Sequence, residues 1–558
     1  MPKSIVCVLA AALLAATPVA RYQIDKTRFF PYPALETQSR ASLISEAEAF
    51  VRSPTPTTEI ALQGWLAEYD ALLRGLERHD IYVYLRSEED DQDTADAKAD
   101  DALGEAEERI GDRLGRAAEE LGPARIAALT RSSALRPYRY LLDTARLRSM
   151  HQLSSTEART VHEVAQPVLD SAVANYKALR KSSDSVARNQ DAYAALLFVI
   201  VAEQNGIARL RGFPGASEAS YFDKSISPAS VERTLGAIRT STVYARYRSV
   251  TAHSSQLGFS PAPLPVGAAI PVILLAEQPM GAQYAGAYSA LLSTENRRLD
   301  ICDTDRCDRT GFSVGFAGTE SAVYYGGYDG SVNSARALAH ESGHAVHRQF
   351  MNLNQPIAAY NRGPNFMFES FAILNELLFL DHLYRAAPND EQRAFYLNLF
   401  LKDATFQVWG SAEETDLESA IYRGVEGGTL LNAADLNALT TKTFAAYDPT
   451  EAKAADAAFY WARDRLFFTD PLYDVNYLYA GLLALQYFAD LQAHPETFPL
   501  RYVGLLKNGF NDTPAALEMK FLGIDLSNEA GLVANAAGLI GARTDLLAKL
   551  YSNGDPKV

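Results

Sequence analysis

Cysteine is scarce: Cys7, Cys302 and Cys307 are the only three in 558 residues. A scaffold built on disulfides is excluded, and a metal site at Cys302 and Cys307 finds no partner ligands nearby. Positive charge is in deficit as well, and the formal net charge of -16 argues against nucleic acid or an anionic membrane as partner. No long apolar run follows the first residues, so no membrane anchor is expected. Internal repeats are missing, and the acidic run from Glu88 to Asp101 lacks the glycine and ligand spacing of an EF-hand loop. What remains, 48% hydrophobic and 22% charged, is the composition of a globular protein able to bury a large core.

The chain begins Met1-Pro2-Lys3-Ser4, continues in an apolar run from Ile5 to Ala16, and then reads Thr17-Pro18-Val19-Ala20. The run is too short to span a bilayer and predicts a signal peptide over 1–20, cleaved after Ala20, with export to a periplasmic or secreted location. Removal of Cys7 leaves Cys302 and Cys307, in a polar stretch, to close a small disulfide-stapled loop. From about Gln38 to Leu179 the pattern is helix after helix, and a helical N-terminal region over 21–250 is expected to precede a second region over 251–558.

The chemistry concentrates at His340-Glu341-Ser342-Gly343-His344. Ser331, Asn333 and Ser334 offer N-caps, and Ala335, Leu338, Ala339, Val346 and Phe350 recur at helical spacing, which puts both histidines well inside one helix. Imidazoles four apart lie one turn apart on one face, where they can share one zinc ion while Glu341 reaches its water. Gly343 costs such a helix about 1 kcal/mol relative to alanine, which implies close approach of another backbone.

Two histidines need a third protein ligand. No histidine stands further along at a suitable spacing, and His347 comes too soon. Pro364, suited to a helix N1 position, instead introduces an almost wholly apolar stretch whose lone acids are Glu369 and Glu376. Seven residues apart, they share nearly one helix face, and a carboxylate in so apolar a helix is costly unless paired or metal-bound. Glu369 is the expected third ligand, and Glu376 the group that orients a ligating histidine. His151, His162 and His253 are isolated and read as structural.

The stretches His340 to His347, Asn354-Gln355-Pro356, Glu369-Ser370-Phe371 and Asn375-Glu376 resemble the active-site signature of the thimet oligopeptidase family of zinc metallopeptidases, most closely its oligoendopeptidase F branch. The resemblance implies ligands His340, His344 and Glu369, and a mainly α gluzincin with two helical halves around a deep channel and a small β element beside the active-site helix. It also implies one zinc per chain and short peptides as substrates. Gln283-Tyr284-Ala285-Gly286-Ala287-Tyr288-Ser289 is similar to a family segment in which a lysine stands at position 283. Tyr473 and Tyr477, one turn apart, resemble the family tyrosines whose hydroxyls donate to the oxyanion, with Tyr479 in reserve. Leu466 replaces the family's preceding histidine.

Phe312 to Phe316 and Ala322 to Tyr325 read as short strands bounded by glycines. The second, through Val323, Tyr324 and Tyr325, is expected to present an exposed edge that holds an extended peptide by backbone hydrogen bonds. Leu264 to Ile273 reads as loop or short strand. The expected function is zinc-dependent hydrolysis of short peptides with Glu341 as general base. The alternatives are a thermolysin-like protease acting on proteins, and a zinc-containing peptide-binding protein without turnover, the latter suggested by Leu466 and Gln283.

Overall fold

The computed structural model describes residues 22–89, 94–182, 186–252, 258–302, 309–454 and 456–554. The expected signal peptide, Cys7, His253 and Cys307 lie outside the described residues. Among the described residues the chain is mainly helical, with three short strands near its middle.

Three helices position the site. The motif helix, Val332–Asn354, starts where the Ser331 side chain accepts from Ser334 N at 3.0 Å, which satisfies one of the free N–H groups of the first turn. The carboxylate helix, Asn365–Ala386, begins one residue later than the sequence implied: Pro364 is its N-cap, in extended conformation, rather than its first helical residue. The tyrosine helix, Asp474–Ala493, follows a turn in which Leu472 takes φ +60. The carboxylate helix packs against both of the others. Its residues Phe371, Ala372, Leu374, Leu377 and Phe379 are each at most 1% exposed, as its near-continuous apolar sequence requires.

The sheet has the order β1-β3-β2, with β1 Leu299–Cys302 parallel and β2 Gly311–Val314 antiparallel to β3 Ala322–Gly326. This corrects the expectation for Val323, Tyr324 and Tyr325. They form the central strand, paired to Leu299, Asp300 and Ile301 on one side and to Ser313, Phe312 and Gly311 on the other, so their backbone groups are consumed within the sheet. β1 was hidden because Asp300-Ile301-Cys302 reads as part of a polar loop. β3 is buried on both faces: Val323 joins the core of the motif, carboxylate and tyrosine helices and Tyr324 the core of the N-terminal helices, on alternate sides of one strand.

The apolar cores do not divide at residue 250. One holds Ile24 to Leu142 with parts of the sheet, a second joins Leu169 to Ala219 with Leu417 to Leu472, and the largest takes in Tyr221 to Leu547. Helices before residue 250 therefore contribute to the largest core as well. Val266–Ala276 is a helix, not a loop or strand; burial of Ala269, Ile273 and Ala276 on one face outweighs its β-branched residues and Pro271. Val186–Leu210 is long and apolar enough to cross a membrane by composition. Here Tyr193, Leu197, Ile200 and Val201 bury one side of it in the second core.

Candidate active site

Local sequence puts His340 and His344 on one face of the motif helix, and the carboxylate helix brings Glu369 to them. Their Nε2 atoms are 3.2 Å apart, and Glu369 Oε2 lies 3.4 Å from His340 Nε2 and 3.7 Å from His344 Nε2. One donor atom from each of these three residues falls within 4.8 Å of the others. Glu369 Oε2 is buried without a hydrogen-bond partner. An orphaned carboxylate oxygen facing two imidazole nitrogens is costly unless a cation sits among them, so the donor set fits a metal ion. Burial works to raise the Glu369 carboxyl, but its contacts with His340 and His344 pull it well below the ordinary range, and it remains anionic. Burial opposes protonation of His340, yet Glu369 and Glu341 raise it overall.

Glu376 lies beside His340. Its Oε1 lies 2.5 Å from His340 Nδ1, which leaves Nε2 directed at Glu369. Arg336, one turn before His340, contacts Glu376 Oε2 and donates to Asp403 Oδ1 at 2.8 Å. This relay was missed by the sequence reading, although Arg336 lies at helical spacing from His340; nothing in sequence marks Asp403. His347 packs on Phe371 at 4.3 Å between ring centres, and burial pushes its imidazole well down, so it is a core residue and not a ligand. His151 likewise stacks on Phe213 with Nδ1 2.9 Å from Arg211 O.

Gly343 is pressed against the carboxylate helix. An added Cβ would collide with Asn375 Nδ2 and lie 3.1 Å from the Ala372 Cα, which is the close approach its presence implied. Asn375 is itself held, donating to Phe371 O at 2.6 Å and accepting from Tyr284 OH at 2.9 Å. Tyr288 OH donates to Ala339 O at 2.8 Å. The segment from Gln283 to Ser289 thus ties the motif and carboxylate helices together through its tyrosines, while Gln283 itself is exposed.

Glu341 lies against the start of β2. A Cβ at Gly311 would come within 2.6 Å of Glu341 Cγ and 2.8 Å of its Oε1, so a side chain there would displace the carboxylate. Since Gly326 N donates to Thr310 O at 2.8 Å, the antiparallel alternation turns the backbone groups of Gly311 and Ser313 away from β3. Among the described residues no strand pairs with the outer edge of β2, which lies beside Glu341. A cavity of about 380 Å³ adjoins it, lined by Tyr84, Ser313, Arg348, Asn365 and Phe368 among others. Arg348 Nε donates to Ser313 Oγ at 3.3 Å.

Tyr473 and Tyr477 sit together, ring centres 5.3 Å apart, and Tyr473 OH donates to Glu369 Oε1 at 2.9 Å. Burial and the Glu369 carboxylate hold both phenols well above their ordinary range, so they stay protonated donors. Tyr479 instead donates to Ser230 Oγ at 3.1 Å and contacts Phe366, apart from this group. Leu466 lines a cavity with Tyr477. Cys302 is disulfide-bonded; Cys307, its expected partner, lies outside the described residues.

Fold and donor set define a mainly α, zincin-like chain. No family model matches it. Over 276 residues it is 26% identical to the oligoendopeptidase F (plasmid) of Lactococcus lactis subsp. cremoris, a match covering 49% of this chain and 45% of that relative. The chain thus spans about half the length of the curated relatives it matches. The oligoendopeptidase-F of Enterococcus faecium superposes with a TM-score of 0.63 at 16% identity, covering 95% of this chain and 100% of the other. Metallocarboxypeptidase 1 of Trypanosoma cruzi gives 0.60 at 13%, covering 86% and 99%. The resemblance to oligoendopeptidase F read from the motifs is borne out by a curated relative of that name and by the shared fold.

Proposed function

We propose that the chain is a zinc-dependent oligopeptidase that hydrolyses peptide bonds in short peptides. The observation that carries this reading is the convergence of His340, His344 and the orphaned Glu369 oxygen beside Glu341. Two imidazoles and a carboxylate suit zinc, with a position left for water. When bound, the ion supplies Lewis acidity, acidifying water and polarising the scissile carbonyl.

The chain's own residues do the rest. His340, His344 and Glu369 hold the ion, one per chain, and Glu376 fixes the His340 tautomer. Glu341 takes the proton from the attacking water and delivers it to the leaving amine. Tyr473 and Tyr477 donate to the oxyanion, Tyr473 after leaving Glu369. The substrate extends along β2, pairing with Gly311 and Ser313 rather than with the buried β3. A folded protein can offer such a strand only by local unfolding, and a channel between the two helical halves would favour short peptides.

Glu341→Gln should abolish turnover of a mixed peptide library while zinc stays near one per chain. Unchanged turnover would sink the mechanism. Rapid digestion of a stably folded protein by the wild type would favour a thermolysin-like protease, and peptide binding without cleavage a non-catalytic binder. We further propose export to the periplasm or beyond, supported by the apolar run from Ile5 to Ala16 and the disulfide at Cys302. Mass spectrometry of the non-reduced protein should find an N-terminus at Arg21 and a Cys302–Cys307 linked peptide; an intact Met1 with Cys302 and Cys307 both alkylatable would overturn it.

A further inference from the structure

A second group of acids lies beside Tyr477. Glu414, Asp464 and Asp474 come from three separate segments, the helix Ser411–Glu426, the turn before Leu466 and the first residue of the tyrosine helix. One carboxylate oxygen from each falls within 4.8 Å of the others. The three line a cavity of about 270 Å³ with Tyr460, Leu466 and Tyr477. Glu414 is 5% and Asp474 1% exposed, and Asp474 Oδ2 has no hydrogen-bond partner. The guanidinium groups on the cavity wall are directed elsewhere: Arg463 pairs with Asp456, and Arg465 with Asp470 at 3.2 Å.

We propose that Glu414, Asp464 and Asp474 form a second cation site, selective for a hard divalent ion of the calcium class, that pins the start of the tyrosine helix. Calcium–oxygen bonds of about 2.3–2.6 Å place oxygens on opposite sides of one ion roughly 5 Å apart, which matches the span of this group. The donors are all oxygen, unlike the imidazole-rich set at His340, so the two sites discriminate by ligand softness. Three anions from separate segments suit the flexible coordination of calcium, and the cavity leaves room for water to complete the shell. Without a cation, burial drives all three carboxyls towards protonation, and repulsion from neighbouring carboxylates adds to it at Glu414 and Asp474.

The site has a mechanical consequence. Asp474 follows Tyr473 directly, and Tyr477 shares the cavity. Leu472, at φ +60, is held by its N–H donating to Glu418 Oε1 at 2.7 Å. An ion on Asp474 would fix this strained turn and, through it, the direction of both phenol hydroxyls. The three acids are thus positioning residues. They act through the tyrosines and do not touch the metal at His340.

The test uses the full-length, zinc-loaded protein with zinc content followed throughout. Terbium, a luminescent calcium substitute, should bind with one equivalent per chain, show emission excited through the neighbouring tyrosines, and be displaced by calcium. Calcium should raise both Tm and kcat at constant zinc. Glu414→Gln and Asp474→Asn, nearly isosteric, should keep their zinc, lose terbium affinity by more than the roughly tenfold that loss of even an outer-shell partner costs, and show no calcium response. Should either fail to fold, the half-buried Asp464→Asn supplies the same readout. A wild-type protein that binds neither terbium nor calcium at millimolar concentration would overturn the proposal, as would variants that bind as well as the wild type. Because zinc and basal turnover are read separately, failure here is distinct from failure of the oligopeptidase reading.

Discussion

Gly343→Ala separates local from tertiary control of the site. On helix propensity alone the change should stabilise the protein by about 1 kcal/mol, since glycine inside a helix is disfavoured by that amount. The packing argues the opposite sign. The new Cβ would lie 3.1 Å from the backbone Ala372 Cα and overlap Asn375, whose amide cannot swing away without loosening its bonds to Tyr284 and Phe371. Overpacking a tight core costs about 1–3 kcal/mol, and weakening one buried hydrogen bond adds about 1 kcal/mol. Set against the propensity gain, net destabilisation of about 1–3 kcal/mol is expected. The carboxylate helix should also move outward, and with it Glu369, one turn before Ala372. Thermal unfolding of the metal-free protein and zinc competition against a chelator read the two effects: Tm should fall and zinc should bind more weakly. A variant with raised Tm and unchanged zinc affinity would show that the helices do not press together at this point.

Glu369→Ala should empty the site under dialysis against a mild chelator, whereas Glu376→Ala should lower metal affinity by only about 10- to 100-fold, because it acts through His340 Nδ1; the reverse ranking would exchange their roles. Glu518 is pushed up to about 8 by burial, despite accepting from Tyr487 OH at 2.6 Å. Its unfolded value is near 4.5, so the folded protein keeps a proton that the unfolded chain releases. The stability this confers is fully present below that value and is lost as pH rises towards about 8. Glu518→Gln, neutral throughout, should therefore gain on the wild type between these limits in parallel denaturation curves, and parallel pH profiles would refute the assignment.

The candidate donor set was legible in the sequence because its geometry is local or nearly so. A helix carries His340 and His344 to one face by its period alone, and Glu369 stands out as an acid in an apolar helix that has no other reason to hold one. Glu376 is legible by the same argument, but its link through Arg336 to Asp403 is not, since it joins helices with no fixed spacing between them. Gly343 announced a close approach without naming Ala372 and Asn375 as the neighbours. The fate of Val323 to Tyr325 was beyond sequence: alternation identifies a strand, but whether it is central or at an edge depends on a parallel partner, Leu299–Cys302, paired across the intervening chain and disguised among acids. Only tertiary structure moved the open edge to Gly311 and Ser313 and gathered Glu414, Asp464 and Asp474 from three segments into one cavity. Short-range periodicity determines which residues share a face; long-range packing determines what that face meets.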